Sequence, residues 1–398
     1  MNRGFHRVAA ATLIALLLPV VAVASTARLR GLNAPGDYVK GEDTGMFTYL
    51  SGVNSLGNLV YVEAGSYYSY TDLTDHAVGA VLPGLFDGRF GVWSFNLRQE
   101  APALGQTTLG ASLNPGDGAQ DGNQVGEAFD ILWGHKLGSG SFALRVNRSF
   151  ESTDNGTLET EGQSNGSRNV MGLGAGYGWD FNPSTQVEVA ALLQNRTFDQ
   201  GPSGFSNDGT SNYLIAARAF HKASGNLTVI PVIKYFSIDR GFKNNATDAI
   251  TTNKRTGWQA GLAGNWNVGT DDLLVFGFQV AQNRDDRGDG NKDTETLFPN
   301  VFLALETQVN PWLAFRAGAQ NPMFLTYKDE TSTTEITSKG HYFTFNLGAT
   351  VKLGNLELDA VLDPAFLQNP FAQLMGGASA YYDGENVAFP EVSATYRW

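Results

Sequence analysis

Charged side chains of both signs alternate with apolar residues in several segments of the chain. Because side chains two residues apart in a β-strand point to the same face, these charges would line one common surface. Charges along a water-filled passage set its ion preference, whereas opposite charges that pair across a wall only neutralise one another. The spacing leaves both alternatives open for the main candidates, which are Arg98, Asp130, Arg145, Glu188, Arg196, Arg218, Glu306 and Arg316. Further residues on the same face are Lys234, Lys352, Glu357, Asp359 and Arg397.

No pattern of nucleophiles, bases or metal ligands indicates catalysis. The five histidines are scattered, and Asp75-His76 is the only adjacent pair of an acid and an imidazole. A catalytic triad also needs a nucleophile within hydrogen-bond reach of its base, and no serine motif supports one. The absence of cysteine excludes thiol nucleophiles, thiolate metal sites and disulfides. We therefore predict that the chain is not an enzyme and needs no cofactor.

An acidic stretch at residues 284–295 has a superficial likeness to a calcium loop. Asp289, Asn291 and Asp293 have the 1-3-5 spacing of the oxygen ligands in an EF-hand. Thr294, however, stands where that loop needs glycine, and flanking helices are not expected. We interpret the stretch as a solvated loop and predict no metal site.

The composition is unlike that of a soluble enzyme. The 398 residues include 47 glycines, 25 phenylalanines, 14 tyrosines and 7 tryptophans, and only 17% of them are charged. The net charge of −12 argues against a nucleic-acid partner, since phosphate binding needs clustered cations. Helical membrane spans need about 20 consecutive apolar residues, and no run of that kind follows residue 24. Neither nucleic acid nor membrane-spanning helices are therefore expected.

Residues 1–24 have the pattern of a secretory signal peptide. Two arginines precede an apolar stretch over residues 8–23, and Ala22-Val23-Ala24 places small residues at positions −3 and −1 of a cleavage site. An uncleaved membrane anchor is the alternative interpretation. We expect cleavage near Ala24, which would make Ser25 the first residue of an exported protein.

Alternation sustained over long segments predicts transmembrane β-strands. Residues 340–353 show it best, because Phe343, Phe345 and Leu347 alternate with Thr344 and Asn346. Residues 169–181 and 256–268 repeat the pattern. Segments of about 12–14 residues are roughly twice as long as soluble strands, and they suit the tilted strands of a membrane barrel.

Short turns and long polar stretches follow one another regularly along the chain. The short turns lie near residues 139, 183, 225, 270, 311 and 354. The longer polar stretches between them, which we expect to be loops, are residues 152–167, 201–211, 241–253, 284–293 and 328–339. Short periplasmic turns and long extracellular loops are typical of outer-membrane barrels. We predict an all-β, antiparallel transmembrane barrel of about 16 strands, with 14 as the alternative, over residues 59–398. A β-propeller has a similar period, but each of its blades holds four short strands instead of two long ones.

Aromatic residues mark the predicted periplasmic border of this barrel. Trp179, Trp266, Trp312 and Trp398 lie close to short turns or to the end of the chain. Indole rings prefer the headgroup level of a membrane, so these residues are expected to form a girdle. Val392–Trp398 alternates and ends in an aromatic residue, which resembles the signal that the bacterial barrel-assembly machinery reads. The expected partners are outer-membrane lipid and that machinery.

Residues 59–398 resemble the Gram-negative outer-membrane porin and transporter barrels at the level of the class. Two other segments are similar to elements of the long-chain fatty-acid transporter superfamily, whose N-terminal segment forms a hatch inside the barrel. Residues 25–58 would be a periplasmic or plug segment, although they have no Asn-Pro-Ala element near residues 45–58. Residues 364–377 would be a plug or bind a hydrophobic ligand through Phe366, Leu367, Phe371, Leu374 and Met375.

Together these features predict a channel or transporter in the cell outer membrane, for small solutes or hydrophobic compounds. The alternative is a barrel that acts as a binding, receptor or secretion component without an open pore. The expected organisation is a signal peptide at residues 1–24, a periplasmic or plug segment at residues 25–58 and a barrel at residues 59–398.

Overall fold

A computed structural model describes residues 25–65, 77–98, 128–153, 166–201, 204–269, 271–288, 290–331, 335–340, 343–362, 389 and 391–398. The predicted signal peptide and residues 364–377 lie outside the described residues, as do His76, Asp289 and His341. What the sequence predicts for them stays a prediction. The same holds for the ligand-segment residues Phe366, Leu367, Phe371, Leu374 and Met375.

The described residues form twenty β-strands in one antiparallel sheet. In chain order they are β1 (Leu59–Gly65), β2 (Ala77–Leu82), β3 (Val92–Arg98), β4 (Ala128–Leu137), β5 (Gly140–Thr153), β6 (Gly166–Asn182), β7 (Thr185–Asp199), β8 (Phe205–Lys222), β9 (Leu227–Asp239), β10 (Phe242–Asn244), β11 (Ile250–Thr251), β12 (Lys254–Val268), β13 (Asp272–Asp286), β14 (Lys292–Asn310), β15 (Leu313–Pro322), β16 (Leu325–Glu330), β17 (Glu335–Gly340), β18 (Thr344–Leu353), β19 (Leu356–Leu362) and β20 (Glu391–Arg397). The sheet closes into a barrel because β1 pairs with β2 on one side and with β20 on the other.

Several of these strands continue one another along the wall. Both β15 and β16 pair with β14, while β18 pairs with β15 and β17 pairs with β16. The short strands β10 and β11 form a hairpin that extends from β8. Counted over the described residues, the wall therefore has 16 strand positions, which confirms the predicted fold and favours 16 strands over 14.

The two faces of the wall differ in chemistry, as the alternation predicts. On β6, Met171, Leu173 and Trp179 point outward and are 46%, 50% and 44% exposed. Gly172 and Gly174 point inward and are buried. Apolar residues outside and small or polar residues inside are typical of membrane barrels.

Strands extend into stretches for which the sequence predicts polar loops. β13 and β14 include parts of residues 284–293, and β16 and β17 include much of residues 328–339. Main-chain pairing needs no apolar face, so hydropathy gives no sign of these extensions. Cross-strand ion pairs support them, since Arg255 pairs with Asp285 at 2.5 Å. Asp293 of the calcium-like stretch pairs with Arg287.

Residues 25–58, which we call the N-terminal segment, run through the barrel interior. They form helix α1 (Thr26–Leu32) and three 3-10 turns at Gly36–Tyr38, Thr44–Phe47 and Leu50–Ser55. Helix α1 packs against β14, β15, β18, β19 and β20, whereas the turns pack against β3, β4, β5, β6, β9 and β12. These strands lie on different sides of the barrel, so the segment crosses the interior from wall to wall.

Helix α1 is short and capped at both ends. The hydroxyl of Ser25 accepts a hydrogen bond from the amide of Arg28 at 3.0 Å. Asn33 ends the helix with a left-handed φ of 44°. One more 3-10 turn, Leu85–Gly88, connects β2 to β3. Among the helices of the described residues, none has the length and hydrophobicity needed to cross a membrane.

Candidate functional site

Arg28 of the N-terminal segment joins a buried cluster of ion pairs on the wall. Its guanidinium donates to both carboxylate oxygens of Glu306, at 2.8 and 2.9 Å. Glu306 also pairs with Arg316, which donates to Asp359 at 2.8 Å. An Arg–carboxylate pair with two parallel hydrogen bonds is strong and directional. The cluster therefore fixes helix α1 against β14 and β15.

Phe47 of the segment lies between two guanidinium groups of the wall. Arg145 donates to Asp130 at 2.5 Å and to the main-chain carbonyl oxygen of Phe47 at 2.6 Å. Arg98 stacks on the ring of Phe47, with 3.8 Å between its guanidinium carbon and the ring centre. Phe47 thus contacts β3 through its ring and β5 through its main-chain carbonyl group.

A third contact joins the segment to β7 and β8. Arg218 donates to Glu188 at 2.6 Å and stacks on the ring of Tyr49 at 4.0 Å. Glu188 also accepts a hydrogen bond from the hydroxyl of Ser51 at 3.2 Å. One wall ion pair therefore holds two residues of the segment, Tyr49 and Ser51.

Other charges of the segment also have partners on the wall. The pairs are Asp37 with Lys234 at 2.5 Å, Asp43 with Arg397 at 2.7 Å, and Arg30 with Glu391 at 2.7 Å. Lys234 is 1% exposed, and a buried ammonium without a partner would be very costly. The charges of the two parts of the chain are thus complementary.

The structure places the predicted interior residues on the inner face of the wall. The exposed fraction is 7% or less for Asp130, Arg145, Glu188, Arg196, Arg218, Glu306 and Arg316, and Arg98 is partly exposed. Arg196 stacks on the ring of Phe198, at 4.9 Å from the ring centre. The remaining residues pair with each other or contact the N-terminal segment. Their effect on a permeating solute stays a prediction.

Sequence reasoning missed the residues of the N-terminal segment that hold it in place. Arg28, Asp37 and Phe47 lie in a stretch without strand or helix periodicity, so no pattern shows which side chains meet the wall. The one feature that could have indicated them is charge, since the segment carries both acids and bases among small and apolar residues. If such a segment lies inside a barrel whose wall has charges of both signs, its charged side chains are expected to form ion pairs with the wall.

Inward-facing glycines make room for the segment. A Cβ atom on Gly174 or Gly176 would lie 2.9 or 3.0 Å from side-chain atoms of Leu50, and one on Gly178 would lie 3.1 Å from the Cβ atom of Ser51. Such distances are shorter than nearly all Cβ contacts in proteins. The run of alternate glycines on β6 therefore forms a groove for Leu50 and Ser51.

Gly318 allows a direct test of this close packing. A Cβ atom there would overlap the main-chain carbonyl oxygen of Leu32, which cannot turn away as a flexible side chain can. We expect Gly318→Ala to displace helix α1 and to lower the free energy of unfolding by about 1–3 kcal/mol. Thermal unfolding in detergent micelles measures the change. Gly340→Ala is the control, because its Cβ atom would meet no atom within 4 Å; equal losses in both variants would contradict the packing.

Glu42 and Asp43 of the segment are buried enough to hold protons near neutral pH. Burial raises the pKa of Glu42 from 4.5 to about 8, although the charge of Arg28, 3.6 Å away, and the hydrogen bonds from Thr44 oppose the shift. Burial likewise raises the pKa of Asp43 from 3.8 to about 7, against the opposing charge of Arg397. Both groups lie in the interior, so their protonation is linked to docking of the segment.

Docking of the N-terminal segment is expected to weaken as the pH rises from about 5 to about 9. Between the ordinary and the raised pKa values of Glu42 and Asp43, the docked state binds more protons than the released state. The free energy that favours docking therefore falls as protons are lost. Hydrogen exchange of main-chain amides, corrected for its intrinsic pH dependence, measures docking. The double variant Glu42→Gln, Asp43→Asn should flatten the profile, and an unchanged slope in it would rule out these two groups.

The outer face has an aromatic border at the end that carries the short turns. Trp179, Trp266, Trp312 and Trp398 lie on the outside there, and they are 44%, 44%, 52% and 55% exposed. Half-exposed indole rings near the short turns suit the boundary between headgroups and acyl chains. Their role as a membrane girdle stays a prediction.

A second aromatic group lies at the same end, between β2 and β4. Trp93 and Trp133 point outward, with 6.4 Å between their ring centres. Phe86 packs edge-on against Phe90 at 5.9 Å, and the indole of Trp133 donates to the carbonyl oxygen of Phe90 at 2.5 Å. The sequence does not single these residues out, because β2 and β3 are too short for clear alternation.

Comparison with known proteins finds similarity at the level of structure. No protein-family model and no curated protein matches the chain. A Pseudomonas aeruginosa FadL homologue shares 12% identity, with 95% of this chain and 99% of that one covered and a TM-score of 0.46. The CymD monoaromatic hydrocarbon channel shares 10% identity, with 96% and 99% covered and a TM-score of 0.38. The copper transporter OprC shares 14% identity over 60% of this chain, which spans 43% of that transporter, with a TM-score of 0.45. The closed antiparallel barrel that this chain forms confirms the class-level resemblance to outer-membrane barrels, as one of fold.

Proposed function

We propose that the chain is an outer-membrane channel or transporter for small solutes, closed in its resting state by the N-terminal segment. The observation that carries the proposal is the set of buried ion pairs between the segment and several sides of the wall, such as Arg28 with Glu306 at 2.8 Å and Asp37 with Lys234 at 2.5 Å. A barrel of about 16 strands leaves an aqueous channel unless something fills it. The segment occupies that space.

The outer face supports a location in a lipid bilayer. Outward side chains such as Val60, Leu193 and Leu303 are 40%, 59% and 55% exposed, and residues of this kind recur around the wall. Soluble proteins rarely expose continuous apolar surface of more than a few hundred Å². Closed β-barrels of this kind, with short turns at one end, are typical of bacterial outer membranes.

The inner face favours a polar solute over a hydrophobic one. Carboxamides form a row across β12–β15 that ends at helix α1. The hydrogen bonds run from Gln259 to Gln279 at 3.2 Å, from Asn300 to Gln320 at 2.9 Å, and from Gln320 to Asn33 at 3.1 Å. Carboxamides offer donors and acceptors to neutral solutes. Movement of helix α1 would release Asn33 and expose this row.

A closed barrel that binds a partner without conducting is the second candidate function. Mutual neutralisation of wall charges favours it, because Asp130 with Arg145 and Glu188 with Arg218 already satisfy one another. A barrel filled in this way would serve as a receptor or as a secretion component. It would never open to solutes.

Solute uptake by liposomes separates the two candidates. Purified protein should admit small neutral sugars faster than protein-free liposomes do, with a rate that falls as the sugar becomes larger. A fluorescent fatty-acid analogue should enter no faster than it enters protein-free liposomes. A correctly folded barrel that admits no sugar, and that copurifies with a protein partner from native membranes, would overturn the channel and favour the second candidate.

A further inference from the structure

The outer face of the wall carries a group of cations at the end opposite the short turns. Ala281 on β13 and Leu297 on β14 lie inside the barrel and are 2% and 1% exposed, so the residues next to them in each strand face outward. The same phase continues through the paired strands β16 and β17. It places three basic side chains on the outside, which we call the outer cation group: Arg284, Lys328 and Lys339.

The cations of this group are close neighbours on the wall. Arg284 and Lys328 lie two strands apart, which separates their main chains by about 10 Å, and Lys339 is a diagonal neighbour of Lys328 at about 7–8 Å. Lys328 donates to Glu330 at 2.6 Å, and the charges of Arg284 and Lys292 act on the same carboxylate. In the part of the chain that the structure describes, Arg284 and Lys339 are exposed and form no ion pair. The group therefore keeps positive charge that the protein itself does not neutralise.

The acidic residues of this face lie in the row farthest from the short turns. There Lys292 is opposite Asp286 on one side and Glu330 on the other, and Glu335 continues the row on β17. In the next two rows towards the short turns, the described outward positions of β13, β14, β16 and β17 carry no acid. Besides the outer cation group, these positions hold Gln282, Thr294, Thr296, Thr326 and Thr337. Hydroxyl and carboxamide groups thus surround the cations.

Exposed aromatic rings begin two residues closer to the short turns. Phe298 is two positions from Thr296, and Phe324 is two positions from Thr326. The two phenylalanines are 61% and 62% exposed, and the amide of Phe298 donates to the carbonyl oxygen of Phe324 at 2.9 Å. The outer surface therefore changes from apolar to cationic over a distance of about 7 Å along the strands. A ligand that matches both parts has apolar chains and an anionic headgroup.

We propose that this face binds a phosphorylated glycolipid of the outer leaflet, of the lipopolysaccharide type, through Arg284, Lys328 and Lys339. Arginine binds phosphate with two parallel hydrogen bonds, and lysine adds a mobile point charge. The surrounding threonine hydroxyls donate to and accept from the sugar, while the acyl chains pack on Phe298 and Phe324. The end opposite the short turns is the extracellular one in barrels of this class, where such lipids are found. The proposal rests on the outer-membrane location proposed above, and not on conduction through the barrel.

Binding of defined lipids to the purified wild-type protein tests the proposal. In detergent micelles, native mass spectrometry counts the bound molecules of lipid A, the phosphorylated glycolipid part of lipopolysaccharide, and a dilution series gives its Kd. We expect lipid A to bind at least about tenfold more tightly than dephosphorylated lipid A, and more tightly than phosphatidylglycerol. A large excess of inorganic phosphate should not displace it, since free phosphate has no acyl chains. Equal binding of either comparison lipid, or displacement by free phosphate, would overturn the proposal.

Two double variants locate the site on the wall. Arg284→Gln with Lys339→Gln should weaken lipid A binding at least about tenfold, because each basic residue near an anionic lipid strengthens binding about fivefold. Arg148→Gln with Lys243→Gln is the matched control, since it removes the same charge at the same end of the barrel but on β5 and β10. Equal weakening in both would assign the effect to net charge and overturn the site.

The lipid series on the wild-type protein decides the question even if the first double variant fails to assemble. Far-UV circular dichroism establishes that each variant keeps the strand content of the wild type. None of these measurements involves solute uptake or movement of the N-terminal segment, so failure of lipid binding is distinguishable from failure of the channel function.

Discussion

A mature chain that lacks residues 26–57 is expected to conduct ions at least about tenfold better than the intact chain. The wall keeps its own ion pairs after this deletion, such as Glu306 with Arg316 and Asp130 with Arg145. It therefore retains the contacts that hold its shape. The space that the segment fills would contain water, and inward residues such as Lys234 would face it. Recordings of single barrels in planar bilayers measure the conductance.

The control for this deletion must change the chain without opening the interior. Removal of residues 246–248 shortens the exposed turn between β10 and β11, and it should leave the conductance at the wild-type level. Far-UV circular dichroism must show the same strand content in all three proteins. If the chain without residues 26–57 conducts no better than the intact one, the N-terminal segment does not close the barrel.

Glu306→Gln is expected to lower the free energy of unfolding by about 3–5 kcal/mol. Glu306 is 6% exposed and serves two guanidinium groups at once, those of Arg28 and Arg316. The amide keeps the shape of the side chain but loses its charge. Arg316 would then keep Asp359 as its partner, whereas Arg28 would keep only Glu42, 3.6 Å away. Urea-induced unfolding from lipid vesicles gives the free energy.

Glu330→Gln is the matched control for this substitution. Glu330 pairs with Lys328 at 2.6 Å, but each side chain is 35% exposed. Solvent screens an ion pair of this kind, so we expect little change in the urea midpoint. Similar losses in the two variants would mean that Glu306 acts through general charge and not through the buried cluster.

The barrel wall could be predicted from the sequence because the alternation of apolar and polar residues within each strand shows which face points outward. In residues 340–353, Phe345 and Leu347 alternate with Asn346, so a short window already identifies the outer face. The inward residues follow from the same phase, and that is why Arg145 and Glu306 could be placed without knowledge of their partners.

The path of the N-terminal segment could not be predicted, because nothing local determines it. Arg28 and Glu306 are 278 positions apart, and Asp43 and Arg397 are 354 apart. Contacts of such long range leave no trace in any local pattern of the sequence. The alternate glycines of β6 can be seen in the sequence, but the sequence does not show why glycine is needed there. The side chain that fills the groove belongs to Leu50, which is far from β6 in the chain.

The most direct test of the central claim is a disulfide that ties the N-terminal segment to the wall. A Cβ atom on Gly178 would lie 3.1 Å from the Cβ atom of Ser51. This is slightly below the roughly 3.5–4.5 Å between the Cβ atoms of a disulfide, so the bond needs a shift of only about half an ångström. The chain has no cysteine of its own, so Ser51→Cys with Gly178→Cys can form one defined bond. The two single variants serve as controls. We expect sugar uptake by liposomes to stop when the double variant is oxidised and to return to the level of the single variants when it is reduced. Equal uptake by the oxidised and reduced forms would show that solutes pass without movement of the segment, and that would contradict the account.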